Sequence, residues 1–159
     1  MNTLVAYFSA SGVTASVAKK LAEAADAQLY EIKPQQTYTA ADLDWRDKTS
    51  RSSVEMNDPE CRPAITDTDA PVADADIVFV GFPVWWYREP SVIDTFLDAY
   101  DFSGKTIVPF ATSGSSGIGD SGKHMQSVAG KGVNVLEGKR FAAGVSVDEL
   151  KKWIKTLEI

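Results

Sequence analysis

The segment Ser9-Ala10-Ser11-Gly12-Val13-Thr14 gathers three hydroxyl side chains around one glycine, directly after the apolar run Leu4–Phe8. It holds no lysine or arginine. Backbone N–H groups at a helix N-terminus form an anion site without any side-chain charge. Ser9, Ser11 and Thr14 would add hydroxyl donors, and Gly12 would let the chain turn tightly against a ligand. Neutral donors of this kind can hold a phosphate, while ordinary helix capping would use the same residue types. The segment is neither a Walker loop nor a Gly-x-Gly-x-x-Gly fingerprint, although Glu31 stands at a spacing suited to a ribose contact.

Two further segments have unusual chemistry, and each also follows an apolar run. Phe82-Pro83-Val84-Trp85-Trp86-Tyr87-Arg88-Glu89-Pro90 places three aromatic residues side by side. Aromatic faces stack on planar ring systems. Thr112-Ser113-Gly114-Ser115-Ser116-Gly117 lets backbone approach a ligand and offers hydrogen bonds to a polar edge. Ligands of open parallel sheets bind outside the carboxyl ends of the strands, at the switch point, so the three segments are expected to converge. A phosphate cradle, an aromatic wall and a polar loop describe a site for a phosphorylated, flat, partly polar ligand. Flavin mononucleotide (FMN) fits that description best.

Positioning these loops requires strands that alternate with helices. Short continuous apolar runs at 4–8, 29–32, 77–82 and 106–110 read as buried strands, with a broken fifth strand over 134–136 and 140–141. Pro109 cannot donate to a ladder, which predicts a strand end or an irregularity there. Val17, Leu21 and Ala25, then Val92, Ile93, Phe96 and Leu97, then Met125 and Val128, then Leu150, Trp153, Ile154 and Leu157 recur at helical spacing. Ser146 and Glu149 make a capping box for the last helix. The alternation predicts one α/β domain over 1–159, a doubly wound, five-stranded parallel sheet in three α/β/α layers. Residues at about 34–75 break the rhythm. They are expected to pack near the site on Leu43, Trp45, Val54, Met56 and Ile65, with a short helix over 49–56.

Composition narrows the function. A net charge of -6 argues against a nucleic-acid partner and fits docking to a basic surface. No apolar run is long enough to span a membrane. A single cysteine, Cys61, excludes an internal disulfide and is expected to be a passive thiol; a cytoplasmic, reducing location is expected. One cysteine and one histidine give no metal-ligand spacing, and no residue reads as a catalytic acid or base. His124 is expected at the surface. Arg88 is expected either in a surface salt bridge or beside an anionic ring.

The three loops, with Gly81-Phe82-Pro83-Val84-Trp85-Trp86 and the run from Ser103-Gly104-Lys105 to Pro109-Phe110-Ala111-Thr112-Ser113-Gly114, make the chain resemble the flavodoxin family over nearly its whole length. It looks most like a bacterial branch with a Trp-Trp ring loop and a segment like Ser52-Ser53-Val54-Glu55-Met56. The resemblance implies a flavodoxin-like sheet with non-covalent FMN. Ser9, Ser11, Gly12, Val13 and Thr14 would hold the phosphate. Pro83, Val84, Trp85 and Trp86 would border the isoalloxazine, and Thr112, Ser113, Gly114, Ser115 and Gly117 would meet its polar edge. It implies electron transfer with a redox partner protein or a small-molecule acceptor. The alternative is an FMN-dependent NAD(P)H oxidoreductase reducing quinones or similar acceptors, with Trp45, Arg46, Arg51 and Arg62 as a lid or cationic edge beside the ring.

This sequence departs from the family pattern Thr-x-Thr-Gly-Asn-Thr. Ser9 and Ser11 keep the hydroxyls, whereas Val13 removes an amide donor. Residues 82–90 hold no glycine, so a peptide flip to positive φ beside the ring costs more than in relatives with a glycine there. The neutral semiquinone is therefore expected to be poorly stabilised. In a stepwise reductive titration of the FMN-loaded protein, oxidised flavin should pass to the reduced form with little long-wavelength absorbance. A large semiquinone fraction would refute this.

Overall fold

Apolar runs buried on both sides become the middle of the sheet. β1 (Thr3–Tyr7), β3 (Ile77–Pro83) and β4 (Thr106–Thr112) are central and almost wholly buried. β2 (Gln28–Glu31) forms one edge, while β5 (Asn134–Val135) and β6 (Lys139–Phe141) share the other. The computed structural model describes residues 2–66, 68–85, 88–113 and 117–159. All strand pairs are parallel, in the order β2-β1-β3-β4-β5, with β6 also on β4. This is the doubly wound arrangement that the alternating pattern predicts.

The two-residue period of the strands divides the core. Leu4, Ala6, Phe8, Val78, Val80 and Phe82 face one side. There they meet Val92, Ile93, Phe96 and Leu97 of α3 (Ser91–Ala99) and Met125 of α4 (Ser121–Ala129). Val5, Tyr7, Phe79 and Phe110 face the other side. They pack on Val17 and Leu21 of α1 (Val13–Ala25) and on Leu150 and Trp153 of α5 (Val147–Thr156). The predicted cap of α5 is present: the Glu149 N–H donates to Ser146 Oγ at 3.1 Å.

β4 runs straight through Pro109, and the irregularity falls on its neighbour. β5 leaves β4 after Ile107↔Val135, and β6 joins it at Phe110↔Lys139. A Cβ at Gly138 would collide with the Pro109 carbonyl oxygen, so that carbonyl points to the β6 side. The amide nitrogen of a strand residue points the same way as its carbonyl. The missing donor of Pro109 therefore faces the gap between β5 and β6, where no ladder bond is required. The expected broken fifth strand is these two short strands.

The excursion over 34–75 is tied at its base. Pro34 and Ile65 form an antiparallel bridge, and the Gln35 N–H donates to the Ala64 carbonyl at 2.8 Å. Its helix, α2 (Arg51–Met56), starts at Ser50, whose side chain accepts from the Ser53 N–H. Met56, Leu43 and Ile65 do pack inward. Trp45 and Val54 do not: they are 67% and 57% exposed. α2 turns Ser52, Ser53, Glu55 and Met56 inward, so its buried side is largely polar and Val54 is left outside.

A methyl group on Gly81 would sit inside the Phe110 ring, which is fully buried on the same face of the sheet. Overpacking of this kind costs about 1–3 kcal/mol. Gly81→Ala should lower the unfolding free energy by that amount, read as a lower urea midpoint at unchanged slope, without abolishing folding. An unchanged midpoint would show that the ring can move aside.

Candidate functional site

The strand order reverses at β1. The chain leaves β1 toward β2 and later returns to β3 on the opposite side, so the loops after β1 and β3 flank a crevice. Side chains and backbone join these loops to the one after β4. Thr14, on the first turn of α1, is buried, and its Oγ1 lies 2.6 Å from Thr112 Oγ1 at the end of β4. The Val84 N–H donates to the Thr112 carbonyl at 3.2 Å. Phe8 and Trp85 meet edge to face with centroids 5.7 Å apart. Arg140 of β6 donates from Nε to Ser113 Oγ at 3.1 Å and from its guanidinium to the Ser113 carbonyl at 2.9 Å. The expected convergence is thus present for Ser9–Thr14, Pro83, Val84, Trp85, Thr112 and Ser113. Trp86, Gly114 and Ser115 lie outside the described residues.

Within the first loop, Gly12 has φ +94° and caps α1, and nothing lies within 4 Å of where its Cβ would be. A side chain there would be strained and would project into open space. Ser9 Oγ accepts from the N–H groups of Gly12 (3.1 Å) and Ala15 (3.2 Å), which leaves its own proton free to donate outward. The N–H groups of Val13 and Thr14 sit in the first turn, where no helical carbonyl precedes them. Ser11 and Gly117 are exposed, and a Cβ on Gly117 would also meet open space. The result is a small cluster of neutral donors at a helix N-terminus. Glu31, Lys33, Thr37 and Tyr38 line an adjoining cavity of about 260 Å³ that reaches Ser9 and Ala10.

The excursion contributes a wall that the sequence pattern did not reveal. Tyr38 packs edge to face on Trp85, with centroids 5.3 Å apart, and tilted against Phe8. Its hydroxyl bonds closely to Glu55 Oε1, and the Arg51 guanidinium lies over its ring at 3.8 Å. Arg51 also pairs with Glu55 at 3.0 Å. Burial, then the Glu55 contact, push the Tyr38 hydroxyl well above its ordinary range, so it stays a neutral donor.

Behind the ring-loop segment, two expectations are corrected. His124 is half-buried and paired rather than a free surface residue. Its Nδ1 lies 2.5 Å from Glu89 Oε2 and 3.6 Å from Asp94 Oδ1, and both carboxylates are fully buried. Arg88 is not at the surface either; it pairs with Asp94 Oδ2 at 3.4 Å and donates to the Met56 carbonyl. Sequence spacing hides this cluster because 35 residues separate Glu89 from His124. The carboxylates of Asp94 and Glu89 push His124 up to about 9, and burial raises Glu89 well above the carboxylate range.

Both shifts favour the proton-bound forms in the folded state. The His124 contribution to stability is therefore complete below its unfolded value near 6.5 and is lost as pH rises through about 9. With one histidine in the chain, its ring signals are unambiguous. An NMR pH titration in metal-free buffer should give a value near 9, with the urea midpoint falling over the same range. A value near 6.5 would contradict the paired geometry.

Comparison with known proteins supplies a family. The sequence profile described as Flavodoxin matches residues 2–157. No curated protein matches the chain. Among solved structures, a protein from Bacteroides eggerthii provisionally described as a flavoprotein is 44% identical, with a TM-score of 0.93 over 99% of this chain and 98% of that one. One from Bacteroides uniformis, described in the same way, is 51% identical, with a TM-score of 0.91 over 97% of each chain. A flavoprotein in complex with FMN from Lactobacillus acidophilus is 25% identical, with a TM-score of 0.71 over 96% of this chain and 98% of that one. With its order of strands, its converging loops and a profile match over nearly its full length, the chain belongs to the flavodoxin family.

Proposed function

We propose that the crevice at the switch point holds FMN and that the protein works in electron transfer. The observation that carries this reading is the tie between the loops, Thr14 Oγ1 to Thr112 Oγ1 at 2.6 Å. It brings a neutral anion cradle and a polar loop together at the strand ends, with Trp85 beside them. The donor set fits a phosphomonoester: a helix N-terminus, a free hydroxyl proton at Ser9, the exposed Ser11, and a cap with positive φ at Gly12. The FMN complex of the Lactobacillus acidophilus relative supports the same ligand.

When bound, the flavin would supply the electron-storing ring, and the protein would supply placement and electrostatics. Ser9, Ser11, Gly12, Val13 and Thr14 would bind the phosphate. Pro83, Val84, Trp85 and Trp86 would border the ring and keep water from it. Thr112, Ser113, Gly114, Ser115 and Gly117 would face its polar edge, with Arg140 holding Ser113 in place. A net charge of -6 favours a redox partner with a basic docking face, and a small-molecule acceptor would reach the ring from the same opening. A reducing compartment such as the cytoplasm suits the lone, half-buried Cys61, whose thiol is raised by burial.

The alternative NAD(P)H reductase gains no specific support. Arg51 is committed to Glu55 and Tyr38, and Arg62 pairs with Asp98 at 2.6 Å.

FMN titrated into flavin-free protein should quench tryptophan fluorescence at one equivalent. Thr14→Val removes the hydroxyl tie and should weaken binding by up to about tenfold, the equivalent of one net hydrogen bond of about 0.5–1.5 kcal/mol. Absence of any FMN uptake by the wild type would remove the proposal. Steady NADPH oxidation by the loaded protein alone, without a reductase, would favour the alternative.

A further inference from the structure

We propose that Glu89, Asp94 and His124 form a binding site for a divalent first-row transition cation of the zinc class. One ligand atom from each residue lies within 4.8 Å of the others. The three come from the end of the loop after β3, from α3 and from α4. A cation there would clamp that loop to both helices on its face of the sheet. The proposal is independent of what occupies the crevice.

The carboxylates point to a missing partner. Glu89 and Asp94 are fully buried, and each has one oxygen that accepts no hydrogen bond, although Asp94 Oδ1 lies 3.6 Å from His124 Nδ1. Glu89 Oε2 meets His124, and Asp94 Oδ2 meets Arg88. Glu89 Oε1 and Asp94 Oδ1 have no hydrogen-bond partner. A buried carboxylate oxygen without a donor is costly, and a cation satisfies both at once.

The donor set selects the class of ion. One imidazole nitrogen and two carboxylates suit zinc and its first-row neighbours, whereas magnesium and calcium favour sites built of oxygen alone. Ligand distances of about 2.1 Å in a tetrahedron set neighbouring donors roughly 3.4 Å apart. His124 Nδ1 and Asp94 Oδ1 are already 3.6 Å apart. The contact of Nδ1 with Glu89 Oε2, at 2.5 Å, has to open, or the bare Oε1 rotates in as the ligand. His124 is 22% exposed, so solvent reaches the cluster from the imidazole side.

The test uses tag-free, full-length protein in metal-free buffer at about pH 7.5. Zn²⁺ is titrated in while the ring signals of the single histidine are followed by NMR and stoichiometry is read by calorimetry. The expected result is a saturating ring shift at one equivalent. Glu89→Gln and Asp94→Asn should each weaken binding by at least about tenfold. Ring signals that stay fixed up to millimolar Zn²⁺ would overturn the site, with the bare oxygens then sharing a proton. Variants that bind Zn²⁺ as tightly as wild type would also overturn it. An equal response to Mg²⁺ would overturn the assigned class. If the variants do not fold, the wild-type titration decides alone.

Discussion

β1 is hydrogen-bonded in parallel on both sides, to β2 through Leu4–Tyr7 and to β3 through Thr3–Tyr7. The rest of the architecture depends on that double pairing. Parallel neighbours need crossovers, and crossovers put helices on both faces. Here α1 crosses on one face while α3 and α4 cover the other. The reversal of winding at β1 opens a crevice at the carboxyl ends of β1 and β3. A phosphate-type loop and an aromatic loop therefore meet although some seventy residues separate them.

The crevice is polar where the backbone turns and aromatic where it does not. Thr14 and Thr112 are both buried, and their mutual hydrogen bond satisfies two hydroxyls that burial would otherwise penalise. That bond also limits how far the first and third loops can separate. On the other side, Phe8, Tyr38 and Trp85 form an edge-to-face cluster that fixes the indole at the mouth of the crevice. Tyr38 belongs to the excursion, so the long irregular segment is part of the wall. Its contact with Glu55 and Arg51 replaces an apolar anchor with a polar one.

Charge is concentrated behind the same loop. Arg88, Glu89, Asp94 and His124 bring four ionisable groups into one buried region. Burying two carboxylates is tolerable only because cationic partners accompany them. The cluster joins the loop after β3 to α3 and α4, so ring-loop position and helix packing are coupled through electrostatics. A proton or metal ion gained or lost at His124 would be felt at the end of the segment proposed to border the flavin.

The layers, the strand runs and the three loops are legible in the order of residues. Those signals are local: apolar runs, 3.6-residue periodicity, and glycine and hydroxyl residues after strands carry them. Pro109 is a partial case, since it announced an irregularity but not that the neighbouring strand would absorb it. Which apolar residues of the excursion anchor it depends on packing that no local pattern records. Trp45 and Val54 look like anchors in the chain yet lie outside; for Val54 the reason is that α2 turns Ser52, Ser53, Glu55 and Met56 inward, with Glu55 held by Tyr38 and Arg51. Only the fold could bring His124 to Glu89 and Asp94, because pairing across 35 residues leaves no trace in spacing. Local chemistry is written in the order of residues, whereas a buried charge depends on whichever partner the packing of α3 and α4 brings to it.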